Sequence, residues 1–165
     1  AMGHIDIAVL DGGLPEWIAK GFETEPILER KYSPGNFKAT FQSEMIRSID
    51  FVKENLDTNE SLIIDARSAD RFNSLVPEPR ADLRRGNIPN SINIPFQNTL
   101  ENGKFKSVEK LTRLFKENKS ENKSLVFSCG SGITACIVLL AAELVFEGNK
   151  AIYDGSWTEW AQLEN

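Results

Sequence analysis

The chain has 165 residues, 41% hydrophobic and 26% charged, with 19 basic against 24 acidic side chains and a formal net charge of −5. That length and composition accommodate one domain with a real core and exclude general disorder, while scattered basic residues under a net negative charge exclude a nucleic-acid or anionic-membrane surface. Two cysteines are too few for a disulfide scaffold and suit a reducing compartment, and the longest apolar run, Ile133 to Ala142, is about half of a bilayer span.

In chain order, residues 1–4 (AMGH) look like a cloning scar, so His4, the single histidine, is set aside as a catalytic candidate. The opening residues lack the basic and apolar regions of a signal peptide, which predicts a cytoplasmic protein, or a mitochondrial one if eukaryotic, with any targeting segment absent from this chain. Residues 5–10 (IDIAVL) read as a short buried strand. DGG reads as a turn, and LPEWIAKG as a helix with Pro15 in its first turn and Gly21 as its stop. Residues 21–35 are polar, punctuated by Pro26, Pro34 and Gly35, and read as an interdomain linker. The main domain is expected over residues 36–165.

FKATF (37–41) reads as its first strand, and residues 43–56 as a helix opened by Ser43 with Met45, Ile46, Ile49, Val52 and Leu56 in one stripe. SLIIDA (61–66) is a nearly continuous apolar run of the kind that parallel strands buried on both faces display. The polar segment from Arg67 to Asn90 carries Pro77, Pro79 and Pro89, and a loop of that length in a compact domain is usually functional. SINIPF follows as a strand, then SVEKLTRLFKENK as an amphipathic helix with Val108, Leu111, Leu114 and Phe115 inward. SLVFS is a strand, ACIVLLAAELVFEG an apolar helix ended by Gly148, AIYD a last strand and SWTEWAQL a last helix. Alternation of strands and helices predicts an α/β fold: an open, mainly parallel sheet with helices on both faces and its ligand site at the carboxyl ends of the strands.

One such end carries the chemistry. Cys129 follows directly on SLVFS and precedes an apolar helix, with Gly130 and Gly132 allowing a tight turn whose amides can converge on an anion. The helix dipole there favours a thiolate, a nucleophile for an electrophilic donor. A phosphatase loop would place arginine at the sixth residue after the cysteine to fork onto phosphate, and here that residue is Ala135. Cys136, seven residues on, is expected to pack in the helix core, too distant for a disulfide with Cys129 while the helix is intact.

CGSGITA (129–135), with IDARSADRF, PEPRADLRRGNIPNSINIPF and YDGSWTEW, resembles the 3-mercaptopyruvate sulfurtransferases of the rhodanese superfamily over most of residues 36–165. Asn87 and Asn90 stand where relatives often show His and Gly. The near-repetition of VLDGGLPEW (9–17) in IYDGSWTEW (152–160) fits a tandem rhodanese duplication, with residues 5–20 as the last strand and helix of a preceding copy. The resemblance implies transfer of a sulfane sulfur from 3-mercaptopyruvate through a persulfide on Cys129 to a thiol, thioredoxin or cyanide acceptor. No cofactor or metal is implied. Thiosulfate is the alternative donor, since thiosulfate-preferring relatives carry cations where this loop has neutral GSG; a non-catalytic binding module is the alternative class.

By the same resemblance, Ser131 is a catalytic hydroxyl, Arg71 and Arg80 hold the substrate carboxylate, and Gly130, Gly132, Ile133 and Thr134 complete the substrate-binding loop. Thr134 reads equally well as a helix cap. Asp65 and Arg67 are structural residues beside the site, and Trp157 and Trp160 are core aromatics, with Trp157 near the pocket mouth as a second reading. Family proposals also put acid-base groups on the preceding copy, so weakened mercaptopyruvate turnover is expected. The apolar residues Val9, Leu10, Trp17 and Ile18, separated from a parent sheet, predict self-association through residues 5–20.

Overall fold

The computed structural model describes residues 1–26, 33–118 and 123–163. The linker expected over 21–35 therefore lies partly outside the described residues. Two central strands, β2 (Ser61–Asp65) and β6 (Ser124–Ser128), pair in parallel from Ser61 opposite Ser124 to Asp65 opposite Ser128. β7 (Lys150–Tyr153) flanks β6, and the two-residue strands β1 (Ile46–Arg47) and β3 (Ile92–Asn93) form the edges. The five-stranded sheet runs β1-β7-β6-β2-β3 and is parallel throughout, as the alternation of elements predicts.

Side-chain alternation along the central strands splits the core between the two faces. Leu62, Ile64, Leu125 and Phe127 pack with Leu111 and Phe115 of α4 (Val108–Glu117) and with Ala135, Val138, Ala141 and Ala142 of α5 (Ile133–Glu143). Ile63 and Val126 point the other way, onto Val52 of α2 (Ile49–Thr58) and Trp157 and Trp160 of α6 (Ser156–Trp160). Helices thus cover both faces and leave only the strand ends open.

Several local expectations are corrected. Residues 37–41 form no strand; the edge strand is Ile46–Arg47, where Ile46 pairs with Ile152. The helix read over 43–56 is accordingly divided into a 3-10 turn (Ser43–Met45), β1 and α2, and its cap is Ser48, whose Oγ accepts from the Phe51 amide at 3.4 Å. Helix α5 stops at Glu143, short of Gly148. Val108 is 59% exposed, not inward. A hairpin, β4 (Leu100–Glu101) with β5 (Lys104–Phe105), was not expected, although Asn102-Gly103 is a strong turn signal; both residues take positive φ there.

The N-terminal helix α1 (Gly13–Ala19) forms, but residues 5–10 make no strand because no neighbouring strand offers hydrogen bonds. The segment instead docks on the β4–β5 hairpin, where Asp11 Oδ1 accepts from the Phe105 amide at 3.0 Å and Lys104 Nζ meets Glu16 at 2.7 Å. Ile5, Ile7, Val9, Leu10 and Ile18 stay exposed.

Candidate active site

The carboxyl ends of β2, β6 and β7 converge as the parallel topology requires, bringing the segments after Asp65, Ser128 and Tyr153 to one edge of the sheet. Cys129 is 2% exposed at the end of β6. Its amide donates to Ser156 Oγ at 3.1 Å and its carbonyl accepts from the Trp157 amide at 2.9 Å. Ser156 Oγ in turn donates to the Tyr153 carbonyl at 2.9 Å, so the turn after β7 fixes the cysteine's backbone.

Beyond the cysteine, the Gly130 carbonyl accepts from both the amide (3.0 Å) and the hydroxyl (2.6 Å) of Thr158. The amides of Gly130 and Ser131 find no acceptor among the described residues and remain available to an anion. Gly132, at φ 82, is the residue preceding α5; a Cβ there would lie 3.2 Å from Asp154 O and Oδ1. Only glycine fits both constraints without strain.

A cavity of about 180 Å³ opens in front of this loop. Arg71, Arg80, Gly130 and Ser131, four of the residues singled out in the sequence, line it together with Glu78 and Thr158. Cys129, Gly132, Ile133 and Thr134 do not line it; Cys129 lies buried directly before Gly130 in the chain. Ile133 is 74% exposed, and Thr134 lies inside α5 without a capping bond, the position before the helix being Gly132. A larger apolar groove of about 660 Å³ between residues 7–13 and the α4–α5 face has no arginine and no residue of the cysteine loop in its lining, so the smaller cavity, lined by Arg71, Arg80, Gly130 and Ser131, is the candidate site.

Behind the cavity lies a buried ion network. The Arg67 side chain is fully buried: its guanidinium meets Asp65 Oδ2 at 2.6 Å, Glu78 Oε1 at 2.9 Å and the Gly86 carbonyl at 2.9 Å, and stacks 4.6 Å from the Trp157 ring. Asn93 Nδ2 donates to the carbonyls of Asp65 and Arg67, clamping the same strand end. Glu78 also pairs with Arg71, whose Nη2 lies so close to Gly130 that a Cβ on the glycine would sit 3.0 Å away. Arg80 is exposed and has no ion pair among the described residues. Asp65 and Arg67 thus brace the site. Trp157 and Trp160 are core aromatics; Trp157 does not line the cavity.

Glu78, Ser156 and Thr158 were missed in the sequence. The signal for Glu78 was weak, one of two acids, with Asp70, in a segment holding Arg67, Arg71 and Arg80; the serine and threonine of α6 carried none. Cys136 is corrected: it is exposed rather than packed in the core, with its Sγ donating to the Gly132 carbonyl at 3.3 Å. Desolvation of its partly covered sulfur, with electrostatic interaction with Cys129 and Asp154, pushes its thiol pKa up. Asn90 has φ 61, a conformation that asparagine tolerates better than most residues, which accounts for its place in the loop. Among the described residues no group of acids, cysteines and histidines could hold a metal ion, and no helix is long and apolar enough to cross a membrane.

The family model for the rhodanese-like domain matches residues 48–163. Mouse 3-mercaptopyruvate sulfurtransferase is 43% identical over 164 residues, covering 97% of this chain and 54% of its own length. Rat thiosulfate sulfurtransferase is 37% identical over 161 residues, covering 96% and 54%. The crystal structure of SseA from Escherichia coli, a 3-mercaptopyruvate sulfotransferase, superposes with a TM-score of 0.81 at 34% identity, covering 94% of this chain and 58% of that one. The chain spans about half the length of the curated relatives it matches.

Proposed function

The chain belongs to the rhodanese family, and we propose that residues 36–163 are a sulfurtransferase unit working through Cys129. The observation that carries this reading is the meeting, on a single cavity, of Arg71 and Arg80 with Gly130 and Ser131, the two residues that directly follow Cys129 and whose amides find no acceptor among the described residues. The Cys129 thiolate attacks the sulfur of 3-mercaptopyruvate; the S–C bond breaks, its electron pair leaves on carbon, and protonation of that enolate yields pyruvate. The outer sulfur remains as a persulfide on Cys129, stabilised by the amides of Gly130 and Ser131. A thiol, thioredoxin or cyanide acceptor then attacks that sulfur and restores the thiolate.

Arg71 and Arg80 suit the donor's carboxylate and carbonyl oxygens, and Ser131, exposed at the cavity, suits a hydrogen bond to the donor. Thiosulfate is the second donor in this reading, supported by the likeness to a thiosulfate sulfurtransferase. The cysteine count supports a reducing compartment such as the cytoplasm. Residues 5–20 are proposed as an element equivalent to α6 and the strand before it, its apolar side chains available for self-association. The test is thiocyanate production from cyanide with each donor: turnover that disappears in Cys129→Ser supports the reading, and turnover unaffected by that change overturns it.

A further inference from the structure

Glu78 stands out among the cavity residues because it is an acid facing a site read as taking an anion. It is 6% exposed, and its carboxylate is shared between two arginines: Oε1 with Arg67, Oε2 with Arg71. Arg67 is already paired with Asp65. The four buried or half-buried charges Asp65, Arg67, Glu78 and Arg71 therefore cancel, and among the described residues Arg80 is left as the one uncompensated charge lining the cavity.

We propose that Glu78 is a specificity-determining residue that cancels the charge of Arg71 while orienting it, so that the cavity presents one net positive charge and selects a monoanionic carboxylate over a dianion. This rests on the sulfurtransferase reading and deepens it, because the two donor classes differ in that respect: a 2-oxo acid brings one negative charge, thiosulfate two. Arg71 can still donate hydrogen bonds from its guanidinium while its Coulomb attraction is spent on Glu78. Its aim across the Gly130 face is set by the Glu78 pair. A second uncompensated cation would strengthen attraction for a dianion more than for a monoanion by one further unit of charge product, on the order of tenfold in affinity at a partly solvated site.

The test reads binding, so it is independent of turnover. On a Cys129→Ser background, pyruvate and thiosulfate are titrated against ¹⁵N-labelled protein and the Kd of each is taken from the Gly130 and Ser131 amide shifts. Glu78→Gln should raise the thiosulfate-to-pyruvate affinity ratio about tenfold, Arg80→Met should lower it, and Glu78→Asp, which keeps the charge, should leave it near the parent value. An unchanged ratio in folded Glu78→Gln would reduce Glu78 to a structural brace. If that variant fails to fold, the ratios in Arg80→Met and Glu78→Asp decide: no fall in the first, or a rise in the second, overturns the proposal. Absence of pyruvate binding in the parent also overturns it. Failure of the sulfurtransferase reading would appear separately, as loss of Cys129-dependent turnover with anion selectivity intact.

Discussion

The hydroxyl of Ser156 lies 3.1 Å from the amide nitrogen of Cys129 and accepts its hydrogen, joining the turn after β7 to the candidate nucleophile at the end of β6. Ser156 is fully buried and holds φ 51, a left-handed conformation that serine adopts at a cost. Ser156→Ala should lose about 1–3 kcal/mol in urea denaturation, because it leaves the buried Cys129 amide without a partner. Ser156→Gly should lose less, since glycine relieves the backbone strain while forfeiting the same bond. Equal losses in the two variants would show that strain at φ 51 plays no part.

The two loop glycines should respond differently to the same added methyl group. At Gly132 the φ of 82 and the Asp154 backbone oppose a side chain, and Gly132→Ala should destabilise the fold by about 1–3 kcal/mol. At Gly130 the obstacle is the end of a side chain, the Arg71 guanidinium, and not backbone, so Gly130→Ala should leave the melting transition nearly unmoved and weaken anion binding instead. Thermal melts with parallel pyruvate titrations check both.

Arg67→Met would leave Asp65 and Glu78 facing each other's charge without the guanidinium that both require. The expected loss is about 3–5 kcal/mol, measured by denaturant unfolding, with the Trp157 face stripped of its stacking partner as well. Arg67→Lys should recover only part of it, because one ammonium cannot replace contacts to Asp65, Glu78 and the Gly86 carbonyl together.

Much of this arrangement was legible in the sequence, and for physical reasons. Leu62 to Ile64 and Leu125 to Phe127 are apolar on consecutive positions because both sheet faces are covered, and such runs can be read without a partner. Cys129, Gly130 and Gly132 were legible because nucleophile, tight turn and helix start are adjacent in the chain. Phe37 to Phe41 alternates like a strand yet forms none; whether an edge strand exists depends on what β7 pairs with, and β7 pairs with Ile46 and Arg47. Glu78 was only faintly legible for a related reason. In PEPR it reads as a solvated acid, and its burial follows from Arg67 and Arg71, eleven and seven residues away, folding back upon it.

Tyr153 gives the fold an alkaline limit. Its buried hydroxyl donates to Glu159 Oε2 at 2.7 Å, and burial, with the Glu159 hydrogen bond and charge, pushes the phenol pKa well above the ordinary value. A raised tyrosine pKa means the unfolded chain loses this proton first. Stability from this group is therefore complete below about pH 10, where an unfolded tyrosine titrates, and falls as the pH rises above it. Urea midpoints between pH 8 and 11.5 should fall more steeply for the parent than for Tyr153→Phe, and parallel curves would contradict this assignment.

The exposed side chains of Val9, Leu10 and Ile18 should promote association between copies. Light scattering on a size-exclusion column should give a mass that rises with concentration in the parent and stays monomeric in a Val9→Asp, Ile18→Asp double variant. A parent monomeric at every concentration would remove self-association from the account.

The central claim, that Cys129 accepts a sulfur atom, is tested most directly by intact mass spectrometry after a single incubation with 3-mercaptopyruvate or, separately, thiosulfate. The expected result is a gain of about 32 Da, one sulfur atom, with the larger yield from mercaptopyruvate, reversed by excess thiol and absent from Cys129→Ser. A mass unchanged by either donor, or a gain that persists in Cys129→Ser, would contradict it.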